Sequence, residues 1–280
     1  MDWTDRLIDL ALEEDLGPAG DITSRALIPE GAQGQACLVA KEPMVIAGLA
    51  AFSRVFARVD GAVQVHVRAH DGDRLKRGAK VADVKGALRS LLLAERTALN
   101  IVQRSAGIAT ATAQAVAAVK GSKLRILDTR KTAPGMRALS KEAVAAGGGQ
   151  NHRFNLSDGV LIKDNHLAAV GGSVAEALRR ARAGAPWLAK IEIEVASFAQ
   201  LDEALAHGAD VILLDNMTQA QIARAMKRVA GRAKVEVSGG VTLERLPALA
   251  KLGVDYVSMG AITHSARAMD LSLEVELSPA

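Results

Sequence analysis

Between residues 124 and 259 the sequence alternates short apolar runs with amphipathic stretches six times, and no other feature limits the fold so strongly. The runs are Leu124 to Leu127, Val160 to Ile162, Ile191 to Val195, Val211 to Leu214, Lys234 to Val237 and Tyr256 to Met259. Between them, helical spacing predicts helices near Met136 to Ala146, Val174 to Arg182, Phe198 to Ala206, Ala220 to Ala230 and Leu243 to Lys251. Each strand must return through a crossover helix, so the alternation requires a parallel α/β sheet, doubly wound or closed into a barrel. No G-x-G-x-x-G follows the first strand, which weighs against a dinucleotide-binding fold.

The first hundred residues read differently. An amphipathic helix from Trp3 to Glu14 is followed by a loop, by β-like runs at Gln35 to Ala47 and Ala62 to Ala69, and by a helix from Leu49 to Val59. Turns around Asp71-Gly72-Asp73 and Arg77-Gly78 precede a short strand at Val81 to Val84, and a long helix spans Ser90 to Val119 with an interruption at Gly107. A last alternating run, Leu271 to Leu277, has no helix after it. The expected division is an N-terminal α/β domain over 1–105, joined by a C-terminal strand within 270–280, and a barrel over 106–269.

Composition narrows the function. The chain has 280 residues and a formal net charge of +4, enough for small anionic ligands but short of a polybasic tail. With only four Phe, two Trp and one Tyr, an aromatic platform for single-stranded nucleic acid is not expected. One cysteine, Cys37, excludes an intramolecular disulfide and any multi-cysteine metal site, and reads as a small buried hydrophobe. The acidic start and the lack of an apolar run near the roughly 20 residues that span a bilayer predict a soluble, untargeted, cytoplasmic protein.

Chemistry on parallel sheets gathers at the C-terminal ends of the strands. Those ends carry Asp128-Thr129-Arg130-Lys131, Lys163-Asp164-Asn165-His166, Glu194, Asp215-Asn216, Ser238-Gly239-Gly240 and Met259-Gly260-Ala261. Arg130, Lys131, His152, Arg153 and Lys163 form a cationic half suited to anionic groups, with arginine able to grip carboxylates bidentately. A helix opening at Gly135 would add an anion-binding N-terminus. Glu194 and Asp215 form an acidic half able to share Mg2+ held partly by substrate phosphates, or to hold sugar hydroxyls, with Glu192 as second choice. The bland alternative is an ion pair with Lys190 or Lys234. Ser238 to Gly240 and Gly260-Ala261 can offer backbone N–H groups to a phosphate. His264 reads equally as a phosphate donor or a capping side chain, and Lys163 on its own would also suit a Schiff-base aldolase.

Taken as strings in order, EEDLGPAGDITS, ERTALN, DTRKTAPG, GGGQNHR, VLIKDNH, IEIEV, LLDN, VSGG and MGAITHSA run from Glu13 to Ala266 and closely resemble the quinolinate phosphoribosyltransferase family, also called nicotinate-nucleotide pyrophosphorylase (carboxylating). Ala133 stands where a second Thr is expected, and Met259 where Val is common. The resemblance implies a type II phosphoribosyltransferase: an N-terminal α/β sandwich, an incomplete barrel of six or seven strands, and a homodimer or larger oligomer. It implies transfer of phosphoribosyl from phosphoribosyl pyrophosphate to quinolinate with loss of CO2, in NAD biosynthesis and with Mg2+. It further implies that Arg130, His152, Arg153 and Lys163 hold quinolinate with Thr129 beside them, and that Arg96 reaches into a neighbouring subunit's site. Lys131, Glu194 and Asp215 would hold phosphoribosyl pyrophosphate and its metal, and Ser238, Gly239, Gly240, Gly260 and Ala261 the 5′-phosphate. The runner-up is a molybdenum-transport-associated homologue of the same fold, against which the intact His152-Arg153 pair argues.

Overall fold

The computed structural model describes residues 2–277. In chain order the first elements are α1 (Trp3–Leu16), α2 (Ile22–Leu27), β1 (Gln33–Ala40), β2 (Met44–Val45), α3 (Leu49–Val59), β3 (Gln64–Val67), β4 (Arg74–Leu75), β5 (Lys80–Ala87) and α4 (Leu88–Ala118). Then come β6 (Arg125–Leu127), α5 (Arg137–Ala146), β7 (Val160–Ile162), α6 (Asp164–Ala169), α7 (Val174–Gly184), β8 (Ile191–Val195), α8 (Phe198–Ala206), β9 (Val211–Asp215) and α9 (Gln219–Val229). The chain closes with β10 (Lys234–Ser238), a 3-10 turn at Leu243–Arg245, α10 (Leu246–Lys251), β11 (Tyr256–Ser258), α11 (Ala261–His264) and β12 (Leu271–Leu277).

Two compact units share these elements. One comprises the described parts of Met1–Ala113, Thr132–Gly148 and Ala261–Ala280; the other is Gln114–Lys131 with Gly149–Gly260. The first holds an antiparallel sheet in the order β12-β1-β5-β3 and a small β2-β4 pair. Residues Gly34 to Ala40 of β1 pair with Leu277 to Leu271, so the last described strand lies beside the first. The core of this unit is aliphatic apart from Phe52 and Phe56, whose rings meet edge to face at 5.1 Å.

Local chemistry sets the helix limits. Asp2 accepts the Asp5 N–H at 2.8 Å and Asp21 accepts the Ser24 N–H at 2.9 Å, so each begins a helix. The second, α2, lies in the segment where the sequence suggests a loop. Helix α4 is continuous, and Gly107 does not interrupt it. A Cβ there would sit 1.8 Å from the Arg267 carbonyl oxygen, so glycine is present for close approach of another chain segment. Gly147 has a similar cause: its Cβ would lie 2.5 Å from the Ala109 carbonyl oxygen. The helix after Gly135 begins at Arg137 and belongs, with Thr132–Gly148, to the unit of the antiparallel sheet.

In the second unit six parallel strands run in the order β6-β11-β10-β9-β8-β7. Ile193, Val195, Ile212, Leu214, Val235, Val237 and Val257 alternate onto one fully buried face. Register places Glu192, Glu194, Asp215, Glu236, Ser238 and Ser258 on the other. β6 and β7, consecutive in sequence, stand at opposite edges of the sheet, which makes the barrel incomplete. A single bridge, Leu127 to Gln150, continues the pairing past β6.

Candidate active site

The segment from Gln150 to Gly159 leads from one open edge of the sheet to the other, and this explains where His152 and Arg153 sit. Gln150 N–H donates to the Ile126 carbonyl at 2.8 Å, beside edge strand β6. Next, the fully buried Asp128 accepts the His152 N–H on Oδ1 at 2.8 Å. Arg153 then donates from a guanidinium nitrogen to the Gly159 carbonyl at 3.0 Å, one residue before edge strand β7. Burial first, and the positive charge of Arg130 second, lower the pKa of Arg153. Two guanidiniums held close enough to repel each other make a receptor for anionic groups.

Lys163 follows β7 at the start of α6, where its own N–H donates to His166 Nδ1 at 2.9 Å. Its Nζ lies 3.1 Å from Glu194 Oε2 on β8. The cationic and acidic halves therefore meet across two adjacent strands. Glu194 pairs with neither Lys190 nor Lys234 as the bland alternative supposed; Lys234 binds Asp255 at 3.0 Å. Asp215 ends β9, and its Oδ2 accepts the Asn216 side-chain N–H at 2.7 Å. Asn216 itself has a left-handed φ of 51°.

After β10, Gly239 and Gly240 take φ values of 88° and 56°, a turn that favours residues without a Cβ. Asn216 N–H donates to the Ser238 carbonyl at 3.1 Å, tying this turn to the end of β9. Thr129 and Arg130 are half-buried after β6, and Lys131 is exposed, with its N–H bonded to Thr129 Oγ1 at 3.0 Å. Gly260 ends the second unit. Arg96 on α4, Ala261 on α11 and His264 lie in the first unit, all three exposed. His264 Nδ1 lies 2.5 Å from Ser265 Oγ.

Sequence reading missed Glu236 and underrated Glu192. Both are buried, and His152 Nε2 lies 2.8 Å from Glu192 Oε2 and 3.6 Å from Glu236 Oε2. Burial above all, then the neighbouring Glu192 carboxylate, pushes Glu236 up to about 8. The signal was available: Glu236 stands between Val235 and Val237 on an apolar strand, with the parity of Ser238. Among the described residues, His152, Glu192 and Glu236 form the one group of three side chains that could hold a metal ion.

A parallel barrel left open at one side, with arginines at one set of strand ends and carboxylates and glycine turns at the next, defines an α/β-barrel enzyme for anionic substrates, in the architecture of type II phosphoribosyltransferases. Two family profiles match the chain: the quinolinate phosphoribosyl transferase N-terminal domain over residues 21–106 and its C-terminal domain over residues 108–274. The chain belongs to the quinolinate phosphoribosyltransferase family. It is 49% identical over 272 residues to the nicotinate-nucleotide pyrophosphorylase [carboxylating] of Mycobacterium leprae, covering 95% of this chain and 94% of that one. It is 44% identical over 276 residues to the probable enzyme of that name from Bacillus subtilis, covering 98% and 93%. A crystal structure of NadC from Streptococcus pyogenes superposes with a TM-score of 0.93 at 43% identity, covering 98% of this chain and 97% of that one. Nothing in these comparisons favours the molybdenum-transport reading.

Proposed function

We propose that this chain transfers phosphoribosyl from phosphoribosyl pyrophosphate to the ring nitrogen of quinolinate, releasing pyrophosphate and CO2 and forming nicotinate mononucleotide, as a step of NAD biosynthesis. The observation that carries the reading is the Lys163–Glu194 contact, which joins a cationic strand end to an acidic one on neighbouring strands. Quinolinate carries two carboxylates. Arg130, Arg153 and Lys163 offer the charge to hold both, with Thr129 and His152 beside them and Arg96 supplied by a neighbouring subunit of a homodimer or larger oligomer.

Glu194 and Asp215 are half-buried carboxylates on adjacent parallel strands. Two carboxylates are too few for a closed cage, but they suit Mg2+, which keeps positions for water and substrate phosphates. When bound there, Mg2+ would neutralise charge on the departing pyrophosphate. The same two carboxylates stabilise positive charge as it develops on the ribosyl carbon, while Lys131 meets the phosphates. Ser238, Gly239, Gly240, Gly260 and Ala261 supply the 5′-phosphate site.

Holding the pyridine nitrogen against that carbon supplies much of the rate. Once the nitrogen is alkylated, the ring becomes a pyridinium. The bond from C2 to its carboxylate then breaks, leaving its electron pair on C2, where the adjacent cation stabilises it until a proton is taken up. Lys163 or Arg130 orients the departing carboxylate. Among the described residues no helix is long and apolar enough to cross a membrane, and a cytoplasmic location is part of this reading.

The test is incubation with quinolinate, phosphoribosyl pyrophosphate and Mg2+, with nicotinic acid as the comparison. Nicotinate mononucleotide and CO2 are expected from quinolinate, with much lower kcat/KM for nicotinic acid, because cations left without a carboxylate cost binding energy. Absence of product from quinolinate overturns the proposal. Equal kcat/KM for the two acids overturns the two-carboxylate site.

A further inference from the structure

The buried carboxyls of Glu192 and Glu236 have no part in the chemistry above, and the hydrogen bonds of the half-buried His152 beside them run in one direction. Arg153 main-chain N–H donates to His152 Nδ1 at 2.8 Å. A nitrogen that accepts a main-chain donor carries no proton, so the ring's proton is on Nε2. That N–H points at Glu192 Oε2, 2.8 Å away, with Glu236 Oε2 at 3.6 Å. Both ring nitrogens are thus engaged by the protein, whereas sequence reading counted His152 among the cations that grip substrate.

Glu192 and Glu236 come from β8 and β10, the two strands flanking β9, and face the same side of the sheet. The arrangement is costly, because Glu192 Oε1 is buried with no hydrogen-bond partner. Two apolar side chains at these inward positions would be more stable. What the carboxyls accomplish is to hold one imidazole in one orientation.

That imidazole is a joint in the segment bridging the open edges of the sheet. The His152 main-chain N–H is tied to Asp128, the ring Nδ1 ties the next residue's N–H, and the next residue is Arg153. We propose that Glu192 and Glu236 are positioning residues: they clamp His152 as its Nε2–H tautomer, so that Nδ1 fixes the Arg153 main chain and thereby the guanidinium that meets a quinolinate carboxylate. This deepens the proposed function and rests on it. The clamp separates the two substrates, since Arg153 belongs to the quinolinate end and Glu194 and Asp215 to the phosphoribosyl end.

Two measurements test it. Long-range 1H–15N NMR of the ligand-free protein, with His152 assigned through His152→Asn, is expected to show the Nε2–H form. An Nδ1–H ring, an imidazolium at neutral pH, or a ring ligated to a metal ion overturns the proposal. For kinetics, Glu192→Ala is expected to raise KM for quinolinate about tenfold, the cost of one hydrogen bond to a charged group. KM for phosphoribosyl pyrophosphate should move less than about twofold. Glu192→Gln, whose carbonyl oxygen still accepts from Nε2, is expected to restore both the quinolinate KM and the Nε2–H signal. Equal rises in both KM values, or failure of a folded Glu192→Gln protein to recover, overturns it. If Glu192→Ala does not fold, the wild-type and Glu192→Gln proteins still decide through the ring tautomer. If wild type makes no product at all, the proposed activity fails while the tautomer continues to report on the clamp.

Discussion

Replacing Gly239 by Ala tests whether the turn after β10 and the acidic end of β9 are one mechanical unit. Gly239 has φ +88°, and a Cβ there would lie 2.1 Å from Asn216 Oδ1 and 3.0 Å from Asn216 N. Asn216 cannot simply swing aside. Its side chain donates to Asp215 at 2.7 Å and its N–H to Ser238 at 3.1 Å. Left-handed backbone costs alanine about 1–2 kcal/mol, and forcing a methyl into packed atoms costs about 1–3 more. The total of about 2–5 kcal/mol corresponds to a fall in Tm of roughly 4–10 °C for a chain of this size. Gly240 supplies the control, since it has φ +56° and nothing within 4 Å of its Cβ position. Gly240→Ala should therefore carry the backbone term alone, about 1–2 kcal/mol. Urea and thermal melts of both variants give the stabilities, and steady-state kinetics of Gly239→Ala gives the functional consequence. Displacing Asn216 disturbs the Asp215 carboxylate, so KM for phosphoribosyl pyrophosphate is expected to rise about tenfold while that for quinolinate stays nearly constant. Equal stability of the two variants refutes the clash, and parallel changes in both KM values refute the division of the site.

Three further outcomes are expected. Lys163→Ala should chiefly raise KM for quinolinate, and Asp215→Asn should chiefly impair use of phosphoribosyl pyrophosphate and Mg2+; identical kinetic profiles would reject the two halves. Because Glu236 is raised from an ordinary 4.5 to about 8, the folded state holds its proton more tightly than the unfolded state does, so stability falls as pH rises between those values. Glu236→Gln removes this proton, so its Tm should decline less than that of wild type between pH 6 and about 9; parallel curves would show that the carboxyl does not titrate there. Mixing Arg96→Ala with Glu194→Ala protein should restore activity if Arg96 acts on a neighbouring subunit, because one site of each mixed dimer is then intact; no recovery with subunit exchange verified by mass spectrometry would place Arg96 in its own subunit's site.

The sequence by itself determined the parallel sheet and the strand ends that carry the chemistry. Periodicity is a local property, and Ile191 to Val195 or Leu49 to Val59 bury a face dictated by spacing alone. Short helices were less legible: α2 begins at a single capping aspartate, a signal easily mistaken for a turn. Gly107 misled for a related reason, since glycine's low helix propensity is local, whereas the carbonyl of Arg267 that requires it comes from 160 residues further on. Only the tertiary structure decided that β6 and β7 stand at opposite edges, leaving a gap for the His152-Arg153 segment to bridge. It alone brought Glu192 and Glu236 against one imidazole, because hydrogen-bond direction and burial depend on neighbours from three separate segments. Charge type could be read along the chain, but which charges face one another is decided by the closing of the sheet.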